Sequence, residues 1–231
     1  MSVGSRTVGI LGGMGPAATV EFMYRIVQKT PAHDDSDHIH MLVDNNPQVP
    51  SRIKAIIEGT GDSPLPELQR MAKGLETGGA DFLVMPCNTA HHYHADIAAT
   101  VAIPFLSIVD VTVRYVRDYY PEAKRIGFLA SPAVRQTGVF DQAFKNNDLT
   151  IIYPDVDGSA ELLTVIREIK EGSTGPAQVE AFHQVANKLA SNADLALIAC
   201  TELSMLARQP IGSFQVIDTL DLLVDAVIAK P

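Results

Sequence analysis

Apolar runs of strand length alternate with helix-length segments along the whole chain. Strands are predicted near 7–11 (TVGIL), 38–43 (HIHMLV), 81–85 (DFLVM), 104–108 (PFLSI), 125–129 (RIGFL), 149–153 (LTIIY), 194–198 (DLALI) and 214–217 (FQVI). Helical periodicity fills most of the gaps between them. Val20, Met23, Tyr24 and Val27 fall on one stripe of a helix over 17–30. A second helix over 64–78 opens on prolines and closes on Gly78-Gly79, the order that helix ends prefer. Segments 160–171 and 176–191 also read as helices. Strands alternating with helices predict an α/β fold whose parallel-type sheets are flanked by helices.

The pattern repeats. VGILGGMGP (8–16) is echoed by IGFLASPAV (126–134), MLVDNNP (41–47) by IIYPDVD (151–157), and ADFLVMPCNT (80–89) by ADLALIACTE (193–202). The three offsets lie within about 110–118 residues and keep one order, as two similar halves would. The expected division is an N-terminal α/β domain of residues 1–112 joined by 216–231, where the last strand and helix fold back, and a second domain of residues 113–215. The expected active site lies in the cleft between these pseudo-twofold halves.

The third echo carries the chemistry. Cys87 and Cys200, the two cysteines of the chain, each close a buried strand and are followed at once by polar residues. Ligands of parallel sheets sit beyond the carboxyl ends of strands, beside helix N-termini. A thiol there, with an ordinary pKa of about 8.5, is expected to be lowered by the first-turn amides. Two facing thiols, one ionised and one not, form a base and an acid on opposite sides of a bound carbon. The outcome is inversion at that carbon. Free N–H groups with Asn88, Thr89 and Thr201 can hold a carboxylate, and no metal or organic cofactor is required.

Composition narrows the partners. The 18 Lys and Arg against 27 Asp and Glu give a formal charge of −9, which argues against nucleic acid and anionic membrane. The longest apolar region, roughly 95–116, is interrupted by Asp96, Pro104 and Asp110, so no membrane span is expected. The opening MSVGSRTVGI does not read as a signal peptide, and two cysteines in 231 residues suit a reducing cytoplasm.

GGMGP (12–16), NP-x-x-P-x-R (46–52), PCNTAH (86–91) and CTEL (200–203) together resemble the aspartate/glutamate racemase family, in its cofactor-independent aspartate racemase branch. The resemblance spans nearly the whole chain. It implies two α/β domains, a homodimer, an amino-acid substrate and no cofactor, with Cys87 and Cys200 as the catalytic pair. It implies Arg52 as the holder of a substrate carboxylate, with Asn88, Thr89 and Thr201 on the α-carboxylate or amino group. Met14 and Asn46 are expected to line the pocket, and Lys170 to supply a second cation for a side-chain carboxylate. Glu202 stands where the family's glutamate racemases usually have His; it favours the aspartate branch and joins the substrate-binding set. PSRI (50–53) departs from the family's PDRT around Arg52. In LASPAVRQTG (129–138) Ser131 replaces one of two hydroxyls, leaving Arg135 to reach the site instead. Aspartate is the expected substrate, with glutamate or a wider range behind it. Related enzymes that isomerise maleate, racemise hydantoins or decarboxylate arylmalonates are the nearest alternative.

Other readings compete. GMGPAA (13–18) fits the G-x-G-x-x-A dinucleotide fingerprint, but its expected acidic partner, Asp44, lies too far along the chain. HDDSDHIH (33–40) and HHYH (91–94) are rich in metal-ligand types, yet no second cluster completes a tetrahedral set. His91, four residues after Cys87, shares a helical face with it and could tune the thiol or touch substrate. Buried cysteines are also ordinary small hydrophobes, and Arg52 or Lys170 could be solvated charges. A two-lobed binding protein is then the non-enzymatic alternative.

Overall fold

The computed structural model describes residues 6–206 and 214–230; residues 1–5, on which half of the signal-peptide reading rests, lie outside that range. Two parallel sheets organise the chain. The first contains β1 (Val8–Gly12), β2 (Met41–Asn45) and β3 (Phe82–Val84) in the order β2-β1-β3. The second contains β4 (Arg125–Leu129), β5 (Thr150–Ile152), β6 (Leu195–Ile198) and β7 (Val216–Asp218) in the order β5-β4-β6-β7. Segment 104–108 contributes a single parallel bridge, Leu83 to Phe105, rather than a full strand. With that bridge counted at the edge, the two sheets repeat one order.

Alternation along each strand divides the core. Val8, Ile10, Phe82 and Val84 of the first sheet join Ile126, Phe128, Leu195 and Leu197 of the second in one shared cluster. The intervening residues face outward to separate layers. Leu11, Leu83 and Met85 pack under α2 (Leu65–Thr77). Leu129, Ala196 and Ile198 pack under α7 (Val156–Lys170) and α8 (Pro176–Ala190). Gly9 and Gly127 are equivalent positions of this echo: a Cβ would lie 3.2 Å from Leu75 of α2 at Gly9 and 2.7 Å from Leu189 of α8 at Gly127. The absence of a side chain lets a helix close down on each first strand.

Helices α1 (Pro16–Lys29), α4 (Ile108–Tyr119) and α9 (Thr219–Ile228) pack together beside the shared core. The segment expected to fold back onto the first half divides its allegiance. β7 joins the second sheet through β6, whereas α9 reaches α1 and α4. The boundary read at 112–113 falls within α4, whose N-cap Ser107 accepts a hydrogen bond from the Asp110 amide. Arg25 clamps the join. It pairs with Glu21, Asp218 and Asp221 and donates to the Ser204 carbonyl at 2.6 Å. The α1 stripe corrects the periodicity reading. Ala18, Thr19, Phe22 and Ile26 form the buried face and Met23 of the expected stripe packs partly against the core, while Val20, Tyr24 and Val27 stand exposed. Both faces carry helical spacing, and the larger aromatic and Ile payload takes the inside. Among the described residues, no helix is long and apolar enough to cross a membrane.

Candidate active site

In both sheets the chain reverses direction of travel at the first strand, so the crevice opens between β1 and β3 and between β4 and β6. The residues just beyond those four strands are Met14, Cys87, Ser131 and Cys200. All four line one cavity of about 290 Å³. Arg52, Thr89, Lys170 and Glu202 line it too, with Pro47, Val49, Ile166, Ile169 and Met205 as apolar wall.

Strand alternation aims the thiols. Cys87 continues the face of Leu83 and Met85, and Cys200 that of Ala196 and Ile198, both away from the shared core. Neither cysteine is in a disulfide, and both are buried. Among the described residues, no long helix follows either one. A short 3-10 segment, Thr89–Tyr93, follows Cys87, and another, Leu203–Met205, follows Cys200. The expected lowering of thiol pKa is therefore overturned. Burial pushes Cys87 up, against the pull of the Arg52 charge and the Ala90 amide. Burial pushes Cys200 well up, and the Glu202 carboxylate adds to it while Lys170 opposes it. Cys87 is thus the more readily ionised of the two.

Glu202 joins two groups. One carboxylate oxygen pairs with the Lys170 ammonium, and the other accepts the Cys200 S–H at 3.2 Å. Arg52 sits at the start of a wide helical turn, Ile53–Glu58, and donates to the carbonyls of Val49 (3.2 Å) and Pro50 (2.9 Å). Among the described residues it has no acidic partner within ion-pair distance. The hydroxyls of Thr89 and Ser131 meet across the cleft at 3.3 Å.

Not every expected site residue lines the cavity. The Asn46 side chain donates to Glu67 at 2.6 Å and accepts from the Gln48 amide at 2.9 Å. Asn88 is turned to Thr219, donating to its hydroxyl at 3.2 Å, and that hydroxyl donates on to Ile198. Thr201 is buried outside the cavity wall. Arg135 stacks over the Tyr153 ring at 5.3 Å and does not line the cavity. His91 touches neither thiol nor cavity. Its Nε2 accepts from the Ile108 amide at 3.0 Å, so Nδ1 carries the proton and donates to the Cys87 carbonyl at 2.8 Å. Burial pushes this imidazole down to about 3. It fastens the Cys87 turn to the start of α4 as a neutral ring.

The glycine-rich turn after β1 is explained without a nucleotide. Gly13 has φ +89°, and a Cβ there would lie 2.1 Å from the Asn46 carbonyl oxygen. The turn needs glycine because the loop after β2 presses on it. Of the histidine-rich segments, 33–40 forms a capped 3-10 turn at Asp35–Asp37. Among the described residues, no three His, Cys, Asp or Glu side chains gather as a metal set. Ile166, Ile169 and Met205 line the cavity without any sequence motif marking them; only their places at helix ends and loops near the strand tips could have suggested them.

Residues 11–227 match the Asp/Glu/Hydantoin racemase family. The chain is 26% identical over 235 residues to the broad specificity amino-acid racemase RacX of Bacillus subtilis (strain 168), covering 96% of each chain. Among solved structures it resembles the aspartate racemase of Picrophilus torridus, with a TM-score of 0.86, 30% identity, and 96% and 93% of the two chains covered. The fold also matches that of glutamate racemase isoform RacE1 from Bacillus anthracis, with a TM-score of 0.69 at 15% identity over 96% and 80% of the chains.

Proposed function

Because the chain belongs to the Asp/Glu/Hydantoin racemase family, we propose that it racemises free amino acids, aspartate among them, by proton transfer between Cys87 and Cys200. The observation that carries this reading is that the two cysteines follow equivalent strands of two like sheets and line one cavity. Cys87, the more readily ionised, removes the α-proton of one enantiomer as thiolate. Cys200, held as a thiol against Glu202, delivers its proton to the opposite face. The reverse reaction exchanges the roles. Arg52 is free to hold the α-carboxylate, and the Thr89 and Ser131 hydroxyls line the same cavity to orient the substrate. The apolar wall of Met14, Ile166, Ile169 and Met205 keeps the carbanion-like transition state from water. These groups supply acid, base and carboxylate binding, so the proposed reaction uses neither pyridoxal phosphate nor a metal.

Likeness to an aspartate racemase and to a broad specificity amino-acid racemase supports a range that includes aspartate. Free thiols at both positions suit a reducing, cytoplasmic setting. A homodimer belongs to the same reading, and the exposed Val20, Tyr24 and Val27 supply an apolar face for it. Sedimentation as a monomer at working concentration would remove the dimer without touching the chemistry.

The test is incubation of the purified protein under reducing conditions in D₂O, without added cofactor, with L-aspartate and a panel of other amino acids. Loss of the α-proton signal with appearance of the D-enantiomer is expected. Absence of exchange across the panel would refute the racemase reading.

A further inference from the structure

Cys87 and Cys200 lie beyond β3 and β6, which belong to different sheets, so no strand ladder sets one thiol against the other. One buried side chain reaches both cysteine segments. Thr219, the first residue of α9, is fully buried. Its hydroxyl donates at 2.8 Å to the carbonyl of Ile198, the residue two before Cys200. The same oxygen accepts at 3.2 Å from the carboxamide of Asn88, the residue after Cys87. Asn88 is buried too. The neighbouring N-cap, Asp218, holds the other side of the Cys200 turn: its carboxylate accepts from the Ser204 hydroxyl at 2.7 Å, and the Ser204 amide donates to the Cys200 carbonyl at 3.3 Å. The start of α9 is also where the chain passes from the second sheet to the helices beside the shared core. Thr219 does not line the cavity, so it acts on the site through the turns it holds.

Resting on the racemase reading above, we propose that Thr219 is a positioning residue for the two-thiol transfer. Through one hydroxyl, donor to one segment and acceptor from the other, it fixes the spacing of the Cys87 and Cys200 turns. Inversion needs both thiols within reach of one carbon at once. The Cys87 thiolate takes the α-proton and leaves the C–H electron pair on the carbon. The Cys200 S–H gives its proton to the opposite face and keeps the S–H pair as thiolate. When the Cys200 turn drifts, Cys87 returns a proton to the face it left, and the starting enantiomer is regenerated. Loosening the tie therefore diverts turnover from inversion to exchange with retention. Arg52 is held by Val49 and Pro50 and not through Thr219, so carboxylate binding is spared.

The experiment compares the wild type, Thr219→Val and Thr219→Ser in D₂O, with L-aspartate or another amino acid that the wild type racemises. It reads kcat, KM and, at early times, the ratio of α-deuterium in recovered substrate to that in the opposite enantiomer. Valine keeps the branched shape and removes both hydrogen bonds, whereas serine keeps the hydroxyl. Thr219→Val is expected to lower kcat roughly tenfold, short of the roughly hundredfold that a displacement of about 1 Å can cost, and to leave KM within about twofold. The deuterium ratio should rise several-fold. Thr219→Ser should return kcat and the ratio toward the wild type. Molecules that have merely unfolded label neither enantiomer, so a purely structural role lowers the rate and leaves the ratio where it was. An unmoved ratio in Thr219→Val overturns the proposal, as does a folded Thr219→Val that exchanges no proton at all, or a serine variant no better than valine. If Thr219→Val does not fold, Thr219→Ala is read in its place; failure of both to fold makes Thr219 a structural residue and overturns the assignment. Wild-type protein that racemises no amino acid fails the parent reading, whereas a working racemase with an unmoved ratio fails this inference alone.

Discussion

Acidification removes stability from this fold through His91. The ring is buried between the Cys87 carbonyl and the Ile108 amide, and its Nε2 must stay unprotonated to accept from that amide. Its pKa falls from an ordinary 6.5 to about 3 in the folded chain, chiefly through burial. The unfolded chain therefore takes up the proton first. Stability is full above about pH 6.5 and declines as pH falls toward about 3, by about 1.4 kcal/mol for each pH unit between. Between about pH 7.5 and about pH 5 the loss from this one group is about 2 kcal/mol. His91→Gln isolates it, because the carboxamide offers one donor to Cys87 and one acceptor to Ile108 and does not titrate. Urea unfolding of both proteins at the two pH values gives the comparison. The wild type should lose about 2 kcal/mol more than His91→Gln over this interval. Equal losses in the two proteins would refute the burial of a neutral imidazole at this position.

Three further outcomes are expected. Arg25→Met strands the buried Asp218 carboxylate and frees the Ser204 turn, so unfolding free energy should drop by roughly 3 kcal/mol; a change of a few tenths in urea titration would contradict the clamp. Gly13→Ala forces a side chain onto the Asn46 backbone at positive φ and should cost roughly 2 to 3 kcal/mol in the same assay, whereas a neutral effect would contradict the close approach. Limiting iodoacetamide should label Cys87 before Cys200, because burial and Glu202 hold the second thiol further from ionisation; peptide mapping that finds Cys200 labelled first would reverse the assigned asymmetry.

The strand framework was legible because buried parallel strands stand out as short apolar runs between helical segments, and the echo of Cys87 and Cys200 followed from two sheets of one order. Periodicity alone misled at α1. Val20, Tyr24 and Val27 have the spacing of a core stripe, but Phe22 and Ile26 have it too, and only packing chooses the inner face. Phe105 makes one bridge because Ser107 caps α4 immediately afterward. Motif membership also overstated the site. Asn46, Asn88 and Thr201 neighbour residues that line the cavity, yet two of them spend their side chains on Glu67 and Thr219. The acidity of the thiols was misjudged because a strand end suggests a helix dipole, while the structure supplies short turns and deep burial instead. Lys170 and Glu202 lie 32 positions apart, and no local pattern announces their pairing.

The two-thiol transfer is tested most directly by following the isotope at early times in D₂O with the wild-type protein and L-aspartate. If Cys87 removes the proton and Cys200 delivers one from solvent, the first D-aspartate formed carries deuterium at the α-carbon while the remaining L-aspartate keeps its proton. Deuterium appearing in recovered L-aspartate as fast as in the D-product would mean that one group serves both faces, and the paired-cysteine mechanism would be contradicted.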